Sequence, residues 1–245
     1  MKPEHSVSVS ALRLISEHVN SLKFPNLTRP PVPHGHPATL ELVQWGIKGY
    51  GFPWLRHFGK LTSGVITLND AGNLAAVYVV GRSSYELCAH LYYVNRHLKQ
   101  HLDSKNVDAA WTFLLPIATG SRYINDRYPE SEELFPTGER IGKAVKAFKE
   151  VMPKSSDGDD DYSYLSEFCH PNMMAFMQHY RWINPETIEF VEPEICGAFG
   201  AITASAIHGL LQMHELLGLA NERATRKALH ELMGEIAKIA EQERI

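Results

Sequence analysis

The chain of 245 residues is poor in cysteine, close to neutral, and without a long uninterrupted apolar run. Its 3 cysteines, Cys88, Cys169 and Cys196, are odd in number, far apart, and lack any C-x-x-C pair. That pattern argues against a disulfide framework as the organising device. Free thiols in such apolar contexts act as small hydrophobes, and the pattern suits a reducing cytoplasm. A formal charge of −4 disfavours indiscriminate coating of nucleic acid, because that binding scales with cationic contacts to phosphate; a localised RNA site remains compatible with it. The N-terminal MKPEHSVSVS has no basic region followed by an apolar one, so no secretory signal is expected. Ile195 to Ala220 is mostly apolar but carries His208, Gln212, His214 and Glu215, which are costly in hydrocarbon and leave too short a stretch to span. No membrane association is expected, and this segment reads as a packed core or dimer helix. There is no G-x-S-x-G elbow and no P-loop, and Gly49-Tyr-Gly51-Phe-Pro-Trp54 lacks the third glycine and preceding strand of a dinucleotide site.

What is there is helical periodicity. Ser10 is placed to cap a helix over Ala11–Leu22, where Leu12, Ile15 and Val19 recur at helical spacing. A proline-rich loop spans Arg29–Pro37. A helix over Thr39–Lys48 is expected to break at Gly49–Pro53, with a short helix following from Trp54 to Leu61. Asp70 is expected to open a long central helix reaching about Leu102, and Asn106 or Asp108 another reaching about Tyr128, kinked at Pro116 or Gly120. Thr137 caps a helix to about Val151. The run KSSDGDDD over 154–161 is a solvated loop preceding a helix from Tyr162 to His170, which ends before Pro171. A short helix over Met173–Trp182, an extended segment over Thr187–Val191, and two helices split near Asn221 complete the chain, the last burying Leu229, Leu232, Met233 and Ile236. The expected fold is all-α, a bundle of about seven to nine helices with long loops in a single domain over 1–245. The acidic loop 154–161 is the best candidate for a boundary.

Two constellations carry chemistry. From Leu74 to Val94 the chain holds no charge except Arg82 and Glu86, one helical turn apart. Val80, Leu87, Leu91 and Val94 form an apolar ridge on the far side, while Ala75, Tyr78, Ala89 and Tyr93 surround the charged pair. A helix apolar on every face is a buried one, and charges survive there when paired and hydrogen-bonded. Arg82 and Glu86 are therefore expected to be mostly buried, touching each other or the Tyr162–His170 helix. In the second constellation, Tyr162–Asn172, residues Ser163, Ser166, Glu167 and His170 share a helical stripe. His170 ends the helix, where the partial negative charge raises its basicity, and an imidazole suits proton transfer near neutrality. The same position also suits a simple capping role.

Arg82-Ser83-Ser84-Tyr85-Glu86, followed roughly 80 residues later by the Tyr162 to Pro171 segment with Ser166 and His170, resembles a group of prokaryotic helical proteins similar to the HEPN superfamily. Those proteins occur in toxin–antitoxin and phage-defence settings, and the resemblance covers about residues 70–220. It implies a helical bundle whose Arg and His converge on an RNA phosphodiester, one base activating the 2′-hydroxyl and a cation stabilising the phosphorane. It also implies an antitoxin or defence-system protein as a possible partner.

The superfamily's own Arg-x(4–6)-His signature is met literally by Arg96 and His101, in a stretch that also reads as an ordinary solvated helix end. It recurs at Arg29/His34 and Arg223/His230, so spacing alone discriminates poorly. Glu167-x-x-His170 has no second copy and cannot make a di-iron bundle. A calcium loop starting at Asp157 would put Tyr162 where glycine is required and Phe168 where glutamate is required. His34 and His36 lie in the proline loop, and His214-Glu215 and His230-Glu231 lack a zinc-protease partner histidine. Trp45, Tyr50, Phe52, Trp54 and Phe58 read as core, with base stacking as the minor alternative. The expectation is a cofactor-free, metal-free, cytoplasmic protein acting on RNA through Arg82, Glu86 and His170, with Ser166, Glu167, Arg96 and His101 as secondary candidates. A homodimer through the C-terminal third is expected from the small residues Gly197, Ala201 and Ala204. The rival is a non-catalytic helical module that binds a protein and keeps the same polar cluster as a structural pin.

Overall fold

Apolar residues at helical spacing become eight α-helices and one short hairpin among the described residues of the computed structural model, which are 3–31, 37–119, 140–152, 161–169, 180–184, 187–190 and 197–242. The helices are α1 (Pro3–Ser21), α2 (Leu40–Asp70), α3 (Leu74–Asp103), α4 (Val107–Thr119), α5 (Arg140–Lys149), α6 (Asp161–Cys169), α7 (Gly197–Leu219) and α8 (Arg223–Gln242). Strands β1 (Tyr180–Asn184) and β2 (Thr187–Phe190) pair antiparallel, with Arg181 opposite Glu189. The fold is all-α, as the periodicity predicts. None of the described helices is long and apolar enough to cross a membrane.

Local boundaries differ from the sequence reading in instructive ways. α1 begins at Pro3, not after Ser10, because proline at the first turn costs no hydrogen bond and presets φ. α2 runs unbroken through the expected Gly49–Pro53 break. Pro53 is exposed, while Phe52, Trp54, Leu55 and Phe58 around it are buried. Burying those side chains outweighs the roughly 3 kcal/mol that an interior proline costs. Asp70 closes α2 instead of opening α3: Gly72 takes φ +69, Asn73 caps α3 by accepting from the Ala76 N–H at 3.3 Å, and Asp70 pairs with Arg13 at 3.1 Å. The expected Met173–Trp182 helix is replaced at its end by β1, since Tyr180–Asn184 find backbone partners in β2. Its earlier residues, the segment 120–139 with the Thr137 cap, and the acidic run up to residue 160 lie outside the described residues. The split near Asn221 is as expected: Asn221 takes φ 51, and the Glu222 carboxylate accepts from the Ala224 N–H at 3.2 Å and the Thr225 N–H at 3.3 Å.

α3 is the central rod, packed against α2, α4, α5, α6 and α7. One continuous apolar cluster draws on all eight helices, from Leu12 in α1 to Leu229 in α8. Close approach depends on glycines: a Cβ on Gly209 would lie 2.6 Å from Cys88 Sγ, and one on Gly81 would collide with Ile202. α7 thus meets α3 through Ile202 and Gly209, and Ala201 and Ala206 on α7 are buried. α3 is not enclosed on every side, however. Ala75, Val79 and Ser83 form an exposed stripe, Val79 being 50% exposed.

Candidate functional site

Arg82 and Glu86 sit beside that stripe, where α3 meets the first turn of α6. Their i,i+4 spacing stacks them on one face, and Arg82 Nε donates to Glu86 Oε1 at 3.0 Å. The Tyr162 hydroxyl ties the pair to α6. It donates to Glu86 Oε1 at 2.9 Å and accepts from Arg82 Nη2 at 3.2 Å, while the guanidinium lies 5.4 Å from the tyrosine ring centre. Tyr85, fully buried, holds the Tyr162 ring from below at 5.5 Å and meets Phe148 of α5 edge-on at 5.1 Å. The contact with the Tyr162 helix is as predicted, but the burial is less. Arg82 and Glu86 side chains are 28% and 30% exposed, because the open stripe gives water access from one side. Burial opposes the charge on Arg82, but hydrogen bonds with Tyr162 and Glu86 prevail and hold the guanidinium above its ordinary pKa.

Beside this knot is a groove of about 310 Å³ lined by Gly142, Val145, Lys146, Lys149 and Tyr162. Lys149 Nζ lies 4.9 Å from the Tyr162 ring centre and donates to Ser163 Oγ at 3.2 Å. Three cations, Arg82, Lys146 and Lys149, therefore gather around one tyrosine, an arrangement suited to an anion. The sequence reading did not single out the two lysines or Tyr162's bridging role. Lys143, Lys146 and Lys149 recur every third residue in α5, and that stripe was the available signal.

The remaining candidates separate. Ser166 is on α6, its Oγ buried and without a hydrogen-bond partner among the described residues. Glu167 belongs to α6, but its side chain and the whole of His170 lie outside the described residues. Arg96 is exposed on α3, about 21 Å along the axis from Arg82 at 1.5 Å per residue. The His101 ring packs 5.9 Å from Phe113 of α4, and no hydrogen bond or ion pair joins it to Arg96 among the described residues. The Arg82 cluster and the literal Arg96/His101 pair are thus different places on one helix.

A second polar cluster lies between α3 and α7. Asn95, 3% exposed, donates through Nδ2 to Gln212 Oε1 at 2.7 Å and to Glu215 Oε2 at 3.0 Å. Burial holds the nearby His208 below its ordinary 6.5 despite the opposing Glu215 charge. Cys88 is buried and its thiol pushed well up by desolvation, which makes it an inert core residue. Among the described residues no three His, Cys, Asp or Glu side chains are grouped to hold a metal ion. Compared with models of known families, with curated proteins and with solved structures, the chain finds no significant match.

Proposed function

We propose that the chain is a HEPN-like helical protein that acts on RNA, as a metal-independent endoribonuclease in a toxin–antitoxin or phage-defence setting. One observation carries the reading: the Arg82–Glu86–Tyr162 knot stands beside a groove lined by Lys146 and Lys149, at the start of the helix that leads to His170. In the proposed reaction the His170 imidazole takes the proton of a ribose 2′-hydroxyl. O2′ then forms a bond to phosphorus, the bond to O5′ breaks, and the leaving oxygen is protonated from solvent. The products are a 2′,3′-cyclic phosphate and a 5′-hydroxyl. Arg82 and the α5 lysines stabilise the charge on the phosphorane, and Glu86 with Tyr162 fixes the guanidinium plane.

The test is purified protein incubated with total RNA and a chelator, with thermal melts alongside. His170→Ala is expected to abolish cleavage, and Arg82→Lys to reduce it strongly, because lysine cannot reproduce a bidentate fork. Arg96→Ala and His101→Ala are expected to cleave normally; loss there would move the site to the literal signature. The rival reading, a protein-binding module with a structural pin, is favoured by the way Arg82, Glu86 and Tyr162 satisfy one another. An uncleaved RNA pool, with the wild type alone and with its neighbouring gene product, would select it. A cytoplasmic homodimer belongs to the same proposal; a light-scattering mass of one 27.6 kDa chain at micromolar concentration would remove the dimer.

A further inference from the structure

Away from that site, α7 and α8 border a shallow, open groove of about 250 Å³ lined by His214, Arg223, Arg226, Lys227 and His230. All five side chains are cationic or can become so. Of the nearby carboxylates, Glu222 accepts from the Ala224 and Thr225 N–H groups, Glu215 accepts from Asn95, and Glu231 pairs with the groove's own Lys227 at 3.7 Å. Among the described residues neither Arg223 nor Arg226 has a carboxylate within ion-pair distance. The Arg226 guanidinium rests against α7 at Gly218, where a Cβ would lie 3.3 Å from the guanidinium carbon. The His214 and His230 rings are 6.0 Å apart. Burial first, then the Arg226 and His230 charges, lower the His214 pKa against the pull of Glu215. Lys227 is paired with Glu231, whereas Arg223 and Arg226 present positive charge with no ion-pair partner among the described residues, in a chain of net charge −4.

We propose that this groove binds a phosphate dianion, either free phosphate or the phosphomonoester of a small molecule. Two guanidiniums supply forked donors that match phosphate oxygens, Lys227 adds a point charge shared with Glu231, and the two imidazoles line the same groove as ring N–H donors. The site uses helices other than α3, α5 and α6, and it stands or falls independently of the RNA reading. The experiment is calorimetric titration of the full chain at pH 7 with inorganic phosphate, glycerol phosphate and dimethyl phosphate, with imidazole NMR shifts to locate the site. Phosphate or glycerol phosphate is expected to saturate with a dissociation constant below about 1 mM and to shift His214 and His230. Tighter binding of glycerol phosphate identifies an ester as the ligand, and equal binding identifies free phosphate. Arg226→Ala and Arg223→Ala, both at exposed positions, are expected to weaken binding about tenfold each. No saturation, unchanged binding in both variants, or dimethyl phosphate binding equally well would overturn the proposal.

Discussion

At the residue scale, one hydroxyl has an outsized role. Tyr162 joins two oppositely charged partners that would otherwise form an ordinary i,i+4 pair, worth a few tenths of a kcal/mol when solvated. Its two hydrogen bonds and its ring contact with Tyr85 lock α6 onto α3. Tyr162→Phe keeps the ring and deletes the hydroxyl. It should cost about 1–2 kcal/mol in urea denaturation with an unchanged slope, since both lost bonds involve charged groups in a partly buried site. If RNA is the substrate, the same variant should cleave more slowly, because the Arg82 guanidinium loses one of its two anchors. A wild-type melting curve would mean that the Tyr162 bridge is not formed in solution.

At the element scale, the close approach of α3 and α7 decides the packing. Glycine within a helix is normally about 1 kcal/mol worse than alanine, so Gly81→Ala would stabilise an isolated helix. Here the added methyl would collide with the Ile202 side chain, and overpacking of this kind costs about 1–3 kcal/mol. Gly81→Ala should therefore lower stability. Trimming the obstacle in the double variant Gly81→Ala/Ile202→Val should recover part of the loss, a non-additivity that a double-mutant cycle by chemical denaturation would measure. Additive effects would mean that the two residues are not in contact.

For the whole molecule, stability should depend on pH through the half-buried His208. Its folded pKa lies below the ordinary 6.5 because burial disfavours the imidazolium. The unfolded chain therefore binds the proton more readily. The His208 contribution is complete above pH 6.5, falls as pH drops below it, and is fully lost once pH passes the folded value. Urea melts from pH 7.5 to 5 should show this decline, and His208→Gln should flatten it. An unchanged profile in that variant would assign the acid sensitivity to other groups.

Much of this architecture was legible in the amino-acid order. Apolar residues at helical spacing specified the all-α class, and the lone charges in α3 marked Arg82 and Glu86 as partners, because local periodicity and the cost of isolated charge are properties of neighbouring residues. The continuity of α2 through Pro53 was not legible. It depends on burial of Phe52, Trp54 and Phe58 against residues distant in sequence, which outweighs a local breaker. The β1–β2 hairpin was half visible, since an extended Thr187–Val191 carries no information about which segment pairs with it. The gathering of Lys146, Lys149 and Tyr162 around Arg82, and of His214 with Arg226 and His230, arises where separate helices cross. Charge in a cleft depends on which helices meet and at what angle, and that is decided only when the core is packed.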